Sequence, residues 1–164
     1  MATIVGLQSL NLKLDKLAKG NTKAAMADAC MLVEKDAKTN APVGETGELR
    51  NSITSEYDEK EGRIGTNLFY APYVHQGTGK YAINGDGRQG YWVYVKGSNG
   101  ESNSDGKEYT LEEAKQICAI LISKGLEAYY TDGQPPRPFL ADAFEANREK
   151  IAEIFAEKIK EAVQ

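Results

Sequence analysis

The sequence predicts an α+β chain: a small, mainly antiparallel sheet packed against a long helix in the N-terminal half, a middle helix and a C-terminal helix. Three observations carry this. Met26, Ala29, Cys30, Val33 and Ala37 recur at helical spacing, as one apolar stripe. Tyr91-Trp92-Val93-Tyr94-Val95 is the strongest strand in the chain by propensity. Thr110-Leu111-Glu112-Glu113 is a capping box that opens a further helix.

The elements follow in chain order. Thr3 to Leu7 reads as a short strand. Leu10, Leu12, Leu14 and Leu17 mix alternation with helical spacing and fix no element. Gly20-Asn21 is read as a break. A helix follows to about Asn40, with Asn21 or Thr22 as its cap and Pro42 as its stop. Leu49 to Tyr57 and Arg63 to Leu68 read as a strand pair joined by the polar link Asp58 to Gly62. Phe69 to Val74 is a compact aromatic segment, and Gln76 to Gly90 a long glycine-rich loop. Gly97 to Lys107 is expected to be a mobile loop. The helix from Thr110 carries Ala114, Ile117, Cys118 and Leu121 on one face and ends near Gly125. Leu126 to Tyr130 is a short strand, and Asp132 to Pro138 a turn with three prolines. The last helix, about Leu140 to Ala162, carries Phe144, Ile151, Ile154, Phe155 and Ile159 as its stripe.

Length and composition bound the answer. A chain of 164 residues suits one domain and needs no staple or metal to fold. A net charge of −4 without a Lys/Arg cluster argues against a nucleic-acid grip, although an acidic wall lets DNA slide past. Cys30 and Cys118 fall in apolar stretches and read as small buried hydrophobes. They form no CxxC motif. The first ten residues show no signal peptide, and no run approaches 18 apolar residues, so no membrane span is expected.

Chemistry finds little footing. His75 is the one histidine, and no nucleophile or carboxylate constellation surrounds it in sequence. Gly77-Thr78-Gly79-Lys80 fails as a phosphate loop, because Val74 and Tyr81 stand where glycine and Ser/Thr are required. The pairs Glu112/Glu113 and Asp58/Glu59 read as a helix cap and a hairpin loop. No catalytic residue, metal site or cofactor is expected.

Three segments stand out: Ala41 to Ile53, Gly65 to Thr78, and Gln134 to Leu140. Each couples rigid turn residues to aromatic or basic ones. Each reads either as local architecture or as a surface for a partner. In this order they resemble the gene-product-ten-like family of phage tail-completion and head–tail connector proteins. The matching motifs are Thr46-Gly47, Leu49-Arg50, Ser52-Ile53, Tyr70-Ala71, Tyr73-Val74, Gly77-Thr78 and Pro136-Arg137-Pro138-Phe139-Leu140. The resemblance covers about residues 5–80 and 130–164. The first loop is one residue longer than usual, and His75-Gln76 replaces an acidic-aromatic pair. Residues 80–131 look like an insertion in a single domain spanning 1–164.

The resemblance implies a structural virion protein of the head–tail junction, made in the host bacterial cytoplasm. It would form a hexameric ring with heterologous contacts that joins the tail to the portal complex and lets DNA pass. Its partners would be further copies and other neck, portal-adaptor, tail-tube or terminator proteins, with no sequence-specific DNA binding and no membrane. Candidate interface residues are Arg50, Tyr70, Tyr73, Tyr91, Trp92, Arg137 and Phe139, with the core as the rival place for the aromatics. The N-terminal segment and the loops Tyr81–Gly90 and Gly97–Lys107 are candidate contact segments. Rival functions are a tail-terminator ring, a small hydrolase using His75, and a nucleic-acid module that stacks bases on its aromatics.

Overall fold

The computed structural model describes residues 7–44, 46–97 and 102–163. The chain divides into two compact units. One combines the residues up to Leu68 with those from Phe139 onward, and the other is Phe69–Pro138. The described residues are mixed α and β, with antiparallel strand pairs throughout. The expected strand at Thr3–Leu7 falls outside the described residues, apart from Leu7, which begins a helix.

The first unit is built on α1, Leu7–Asn40, 34 residues long. It runs through Gly20-Asn21, where a break and a cap were expected. A single glycine costs a helix about 1 kcal/mol, and the Leu, Lys and Ala residues around it are good helix formers. The stop is where Pro42 predicts it. Next comes α2, Glu48–Ser52. This corrects the strand expected from Leu49. Gly47 turns the chain at φ 65°, and the Asn51 amide closes a helical turn on the Gly47 carbonyl at 3.1 Å. Leu49 and Ile53 are four residues apart, a spacing that suits one face of a helix as well as of a strand, and both are buried.

The expected hairpin forms from β1, Thr54–Tyr57, and β2, Gly62–Gly65, with Ser55 opposite Ile64 and Glu56 opposite Arg63. Asp58 builds the turn: its carboxylate accepts from the amides of Lys60 (2.6 Å) and Glu61 (2.9 Å). Those two bonds hold the Asp58 carboxyl below the usual range. β2 ends at Gly65 instead of Leu68, because the Thr66 hydroxyl bonds Ser52 at 2.6 Å and accepts from the Leu68 amide. The hairpin lies on α1. Gly62 sits against the Cys30 thiol and Met26, so close that a Cβ there would overlap the sulfur. Burial, then the nearby Glu34 carboxylate, pushes the Cys30 thiol pKa up.

The last helix follows the proline turn and runs antiparallel to α1. It is α5, Phe139–Val163, the fifth α-helix among the described residues. Asn147 meets Asp36 at 2.6 Å, and Lys158 meets Asp28 at 3.5 Å. The fully buried line is Phe139, Ala143 and Asn147, and of the expected stripe Ile151, Ile154 and Phe155 are half-buried. Phe144 and Ile159 are 49% and 54% exposed. Two helices that approach closely need small side chains at the contact, and bulky ones turn to the flanks. Periodicity of large apolar residues alone therefore puts Phe144 where the smaller Ala143 stands. Asn147 Nδ2 also donates to the Ala143 carbonyl at 2.8 Å.

The second unit holds α3, Ala71–Gln76, a 3-10 turn at Gly79–Tyr81, β3, Trp92–Lys96, β4, Ser102–Ser104, α4, Leu111–Ser123, and β5, Ala128–Thr131. The sheet order is β4-β3-β5, with both pairings antiparallel. β4 corrects the loop expected over Gly97–Lys107: the free edge of β3 recruits Ser-Asn-Ser despite its poor strand propensity. The capping box forms as read. Thr110 Oγ1 accepts from the Glu113 amide, and the Glu113 carboxylate accepts from the Thr110 amide at 2.9 Å. α4 packs on β3 and β5 and buries Ala114 and Cys118 with Val93 and Ala128. The Cys118 thiol donates to the Ala128 carbonyl at 3.1 Å.

Gly62→Ala is expected to destabilise the first unit by about 1–3 kcal/mol through overpacking against Cys30. Cys30→Ala in the same chain recovers part of that loss. Denaturant unfolding of the four chains of this cycle checks it, and equal losses with and without Cys30→Ala would contradict it.

Candidate partner-binding surface

The three singled-out segments meet in pairs. In the first unit, Ser52 from the first segment hydrogen-bonds Thr66 from the second. Ser52 Oγ also reaches the Leu49 carbonyl at 2.8 Å and closes the end of α2. Beside this bond runs an open groove of about 540 Å³, whose lining includes Ser52, Thr54, Glu56, Arg63, Thr66 and Asn67. Its hydroxyls, one carboxylate and one guanidinium suit hydrogen bonding to a partner surface.

In the second unit the rest of the second segment meets the third. The Thr78 amide donates to the Gln134 carbonyl at 3.0 Å, and the Gln134 amide returns to Thr78 Oγ1 at 3.1 Å. Gln134 Nε2 donates to the Tyr73 carbonyl at 3.0 Å, and the Arg137 amide to the Val74 carbonyl at 2.9 Å. The Lys80 amide reaches the Asp132 carbonyl at 3.2 Å. Two stretches of main chain therefore cross at contact distance.

That crossing explains the glycines. Gly79 (φ 60°) and Gly133 (φ 118°) occupy left-handed backbone, and a Cβ on either would overlap the opposite main chain. Gly77 (φ 76°) faces the Gln134 carbonyl and the Pro136 nitrogen at 2.9 Å from where its Cβ would stand. The glycine run that fails as a phosphate loop is a backbone junction.

An ion pair closes the junction from outside. Lys80 Nζ pairs with the Asp132 carboxylate and stands over the rings of Tyr81 (4.9 Å) and Tyr91 (6.0 Å). Asp132, then Tyr81, raises the Lys80 pKa well above the ordinary lysine range. Lys80 in turn holds the Asp132 carboxyl below its ordinary value.

The sequence-predicted residues take distinct places. Tyr73 on α3 and Arg137 beside the junction are exposed. Tyr70 caps α3 and is half-buried. Half-buried Tyr91 bridges to Tyr109, and Trp92 begins β3 with Arg88 over its ring at 5.4 Å. Arg50 is half-buried on α2, and its Nε makes no hydrogen bond. Phe139 is 1% exposed, so its ring belongs to the interior and not to a partner surface. An aromatic beside three prolines looks like a contact residue until the start of the last helix is seen to bury it. Phe69, 84% exposed and edge-on to Tyr70 at 5.6 Å, was not singled out, although it stands in the second segment. The Lys80–Asp132 pair is 52 positions apart in sequence, and no local pattern announces it.

Among the described residues, no group of three or more His, Cys, Asp or Glu could hold a metal ion, and no helix is long and apolar enough to cross a membrane.

Lowering the pH removes the ion pair. Asp132 has a depressed pKa, so its stabilisation is present above the unfolded carboxyl value of about 4 and is lost as pH falls through the lower folded value. Melting temperatures between about pH 2 and 7 should therefore fall less steeply for Asp132→Asn than for the unsubstituted chain. Parallel curves would contradict the assignment.

Comparison with known proteins gives one family. The family described as "Bacteriophage HK97-gp10, putative tail-component" matches residues 8–95. No curated protein and no solved structure matches the chain. The match spans more than half of the 164 residues and takes in the first two singled-out segments. The chain belongs to the HK97 gp10-like family of bacteriophage tail components.

Proposed function

We propose that this tail component is a structural virion protein of the head–tail junction. It forms a hexameric ring that joins the tail to the portal complex of the capsid and leaves a channel for DNA. Its partners are further copies of itself and the neighbouring neck and tail proteins. The observation that carries the reading is the family match over residues 8–95, whose sequence segments build the Ser52–Thr66 bond and one side of the glycine junction. A joint between two large assemblies needs rigid surfaces more than chemistry, and tying the segments by main chain supplies rigidity. In the second unit Tyr73, Phe69 and Arg137 are exposed anchors, with Tyr70, Tyr91 and Trp92 half-buried, and in the first unit half-buried Arg50 is a separate candidate contact. The net charge of −4 suits a wall past which DNA slides.

Stopping this reading frame in the phage and viewing the lysate by negative-stain electron microscopy tests the proposal. Filled heads and separate tails of normal length are expected. Tails of uncontrolled length would move the role to the terminator, and whole infectious particles would overturn it.

A further inference from the structure

Among the described residues, the sheet of the second unit has two free edges of opposite character. β5 is Ala-Tyr-Tyr-Thr. Among the described residues no strand pairs with its outer side. It carries no lysine and no proline, two of the usual protections of an exposed edge. Tyr129 and Tyr130 are both more than 40% exposed. The other edge, β4, is Ser-Asn-Ser, exposed along its length.

The register says which main-chain groups are open. Tyr91 exchanges both bonds with Tyr109, and the Lys96 amide reaches the Glu127 carbonyl at 2.8 Å. Odd-numbered residues of β3 therefore bond toward β4 and even-numbered ones toward β5, since antiparallel pairs alternate. Tyr94 then exchanges bonds with Tyr129, which leaves the amides and carbonyls of Ala128 and Tyr130 facing outward. The Cys118 thiol already occupies the Ala128 carbonyl, so Tyr130 is the open residue. By the same alternation Val95 bonds Asn103, and Ser102 and Ser104 face outward from β4.

We infer that a second copy of this chain lays its β4 along the outer edge of β5, with Tyr130 opposite Asn103, so that the sheet continues from copy to copy. The inference rests on the ring proposed above. β4 and β5 are both antiparallel to β3, hence parallel to each other. A rotation that carries one sheet into the next preserves strand direction, so the joint is parallel. In a parallel pair one residue bonds the two that flank its opposite number. The Tyr130 amide then donates to the Ser102 carbonyl, and the Ser104 amide donates to the Tyr130 carbonyl. Both main-chain groups of Tyr130 are used, with one from each outward-facing serine of β4. The faces also agree. Tyr130 pairs with Val93 and Asn103 with Val95, so both lie on the face that α4 covers. The small serines leave room for the tyrosine rings. This joint is heterologous, as a ring requires, whereas β5 against β5 would be isologous and would stop at a dimer.

Disulfide trapping in the full chain tests it. Neighbouring strands lie about 4.8 Å apart, within reach of a disulfide. The chain carrying both Tyr130→Cys and Asn103→Cys is expected to lose its monomer band to a ladder of covalent multimers on a non-reducing gel. Each single variant should stay unlinked, as should the unsubstituted chain, whose two thiols are buried. Tyr130→Lys should keep its circular dichroism and melting temperature and lose self-association in light scattering. Dimers from Tyr130→Cys alone would overturn the inference in favour of an isologous edge. Multimers in light scattering with no disulfide ladder would overturn it while leaving the ring intact. A monomer at every concentration, with no ladder, would overturn the edge joint and the ring together.

Discussion

The second unit depends on one close crossing of main chain, Thr78-Gly79 over Asp132-Gly133-Gln134. The crossing is possible only where no Cβ intervenes, and two glycines in left-handed backbone supply that room. Once made, it fixes α3 through the Gln134 and Arg137 bonds and sets the end of β5 through Asp132. The exposed Tyr73 and Arg137 are then held on tied backbone instead of on free loops. Side chains held in this way lose less entropy when a partner docks on them.

The first unit solves a different problem. A two-stranded hairpin is marginal by itself, so β1 and β2 need a face to lie on. α1 provides it, with Gly62 set close against Cys30, and the antiparallel last helix lies along α1 through small residues. Asn147 is the exception in that line, a buried amide tied to Asp36 and to Ala143. This polar group ties the last helix to α1 at one point, and the Lys158–Asp28 pair ties them at another.

Much of this was legible in the sequence. The capping box at Thr110, the strand at Tyr91–Val95, the hairpin around Asp58-Gly62 and the proline stop at Pro42 are local signals, and local physics decides them. The misreadings share a cause. Gly20 lies inside a helix long enough to carry it, Leu49 and Ile53 fit the period of a helix and of a strand at once, and Ala143 is buried where the larger Phe144 stays exposed. β4 exists because β3 offers an edge, which no property of Ser-Asn-Ser announces. The glycine run showed that something special happens at Gly77–Gly79, but its partner lies more than fifty residues on, beyond any local pattern. The family segments were legible as motifs. Their pairing in space was not.

The central claim, that this tail component sits at the junction of head and tail, is tested most directly by locating it. An epitope-tagged copy in infectious particles, labelled with gold-conjugated antibody and imaged, should place one cluster of label at the neck of each particle. Label at the distal tail tip or on the capsid faces, or purified particles that lack the protein by mass spectrometry, would contradict it.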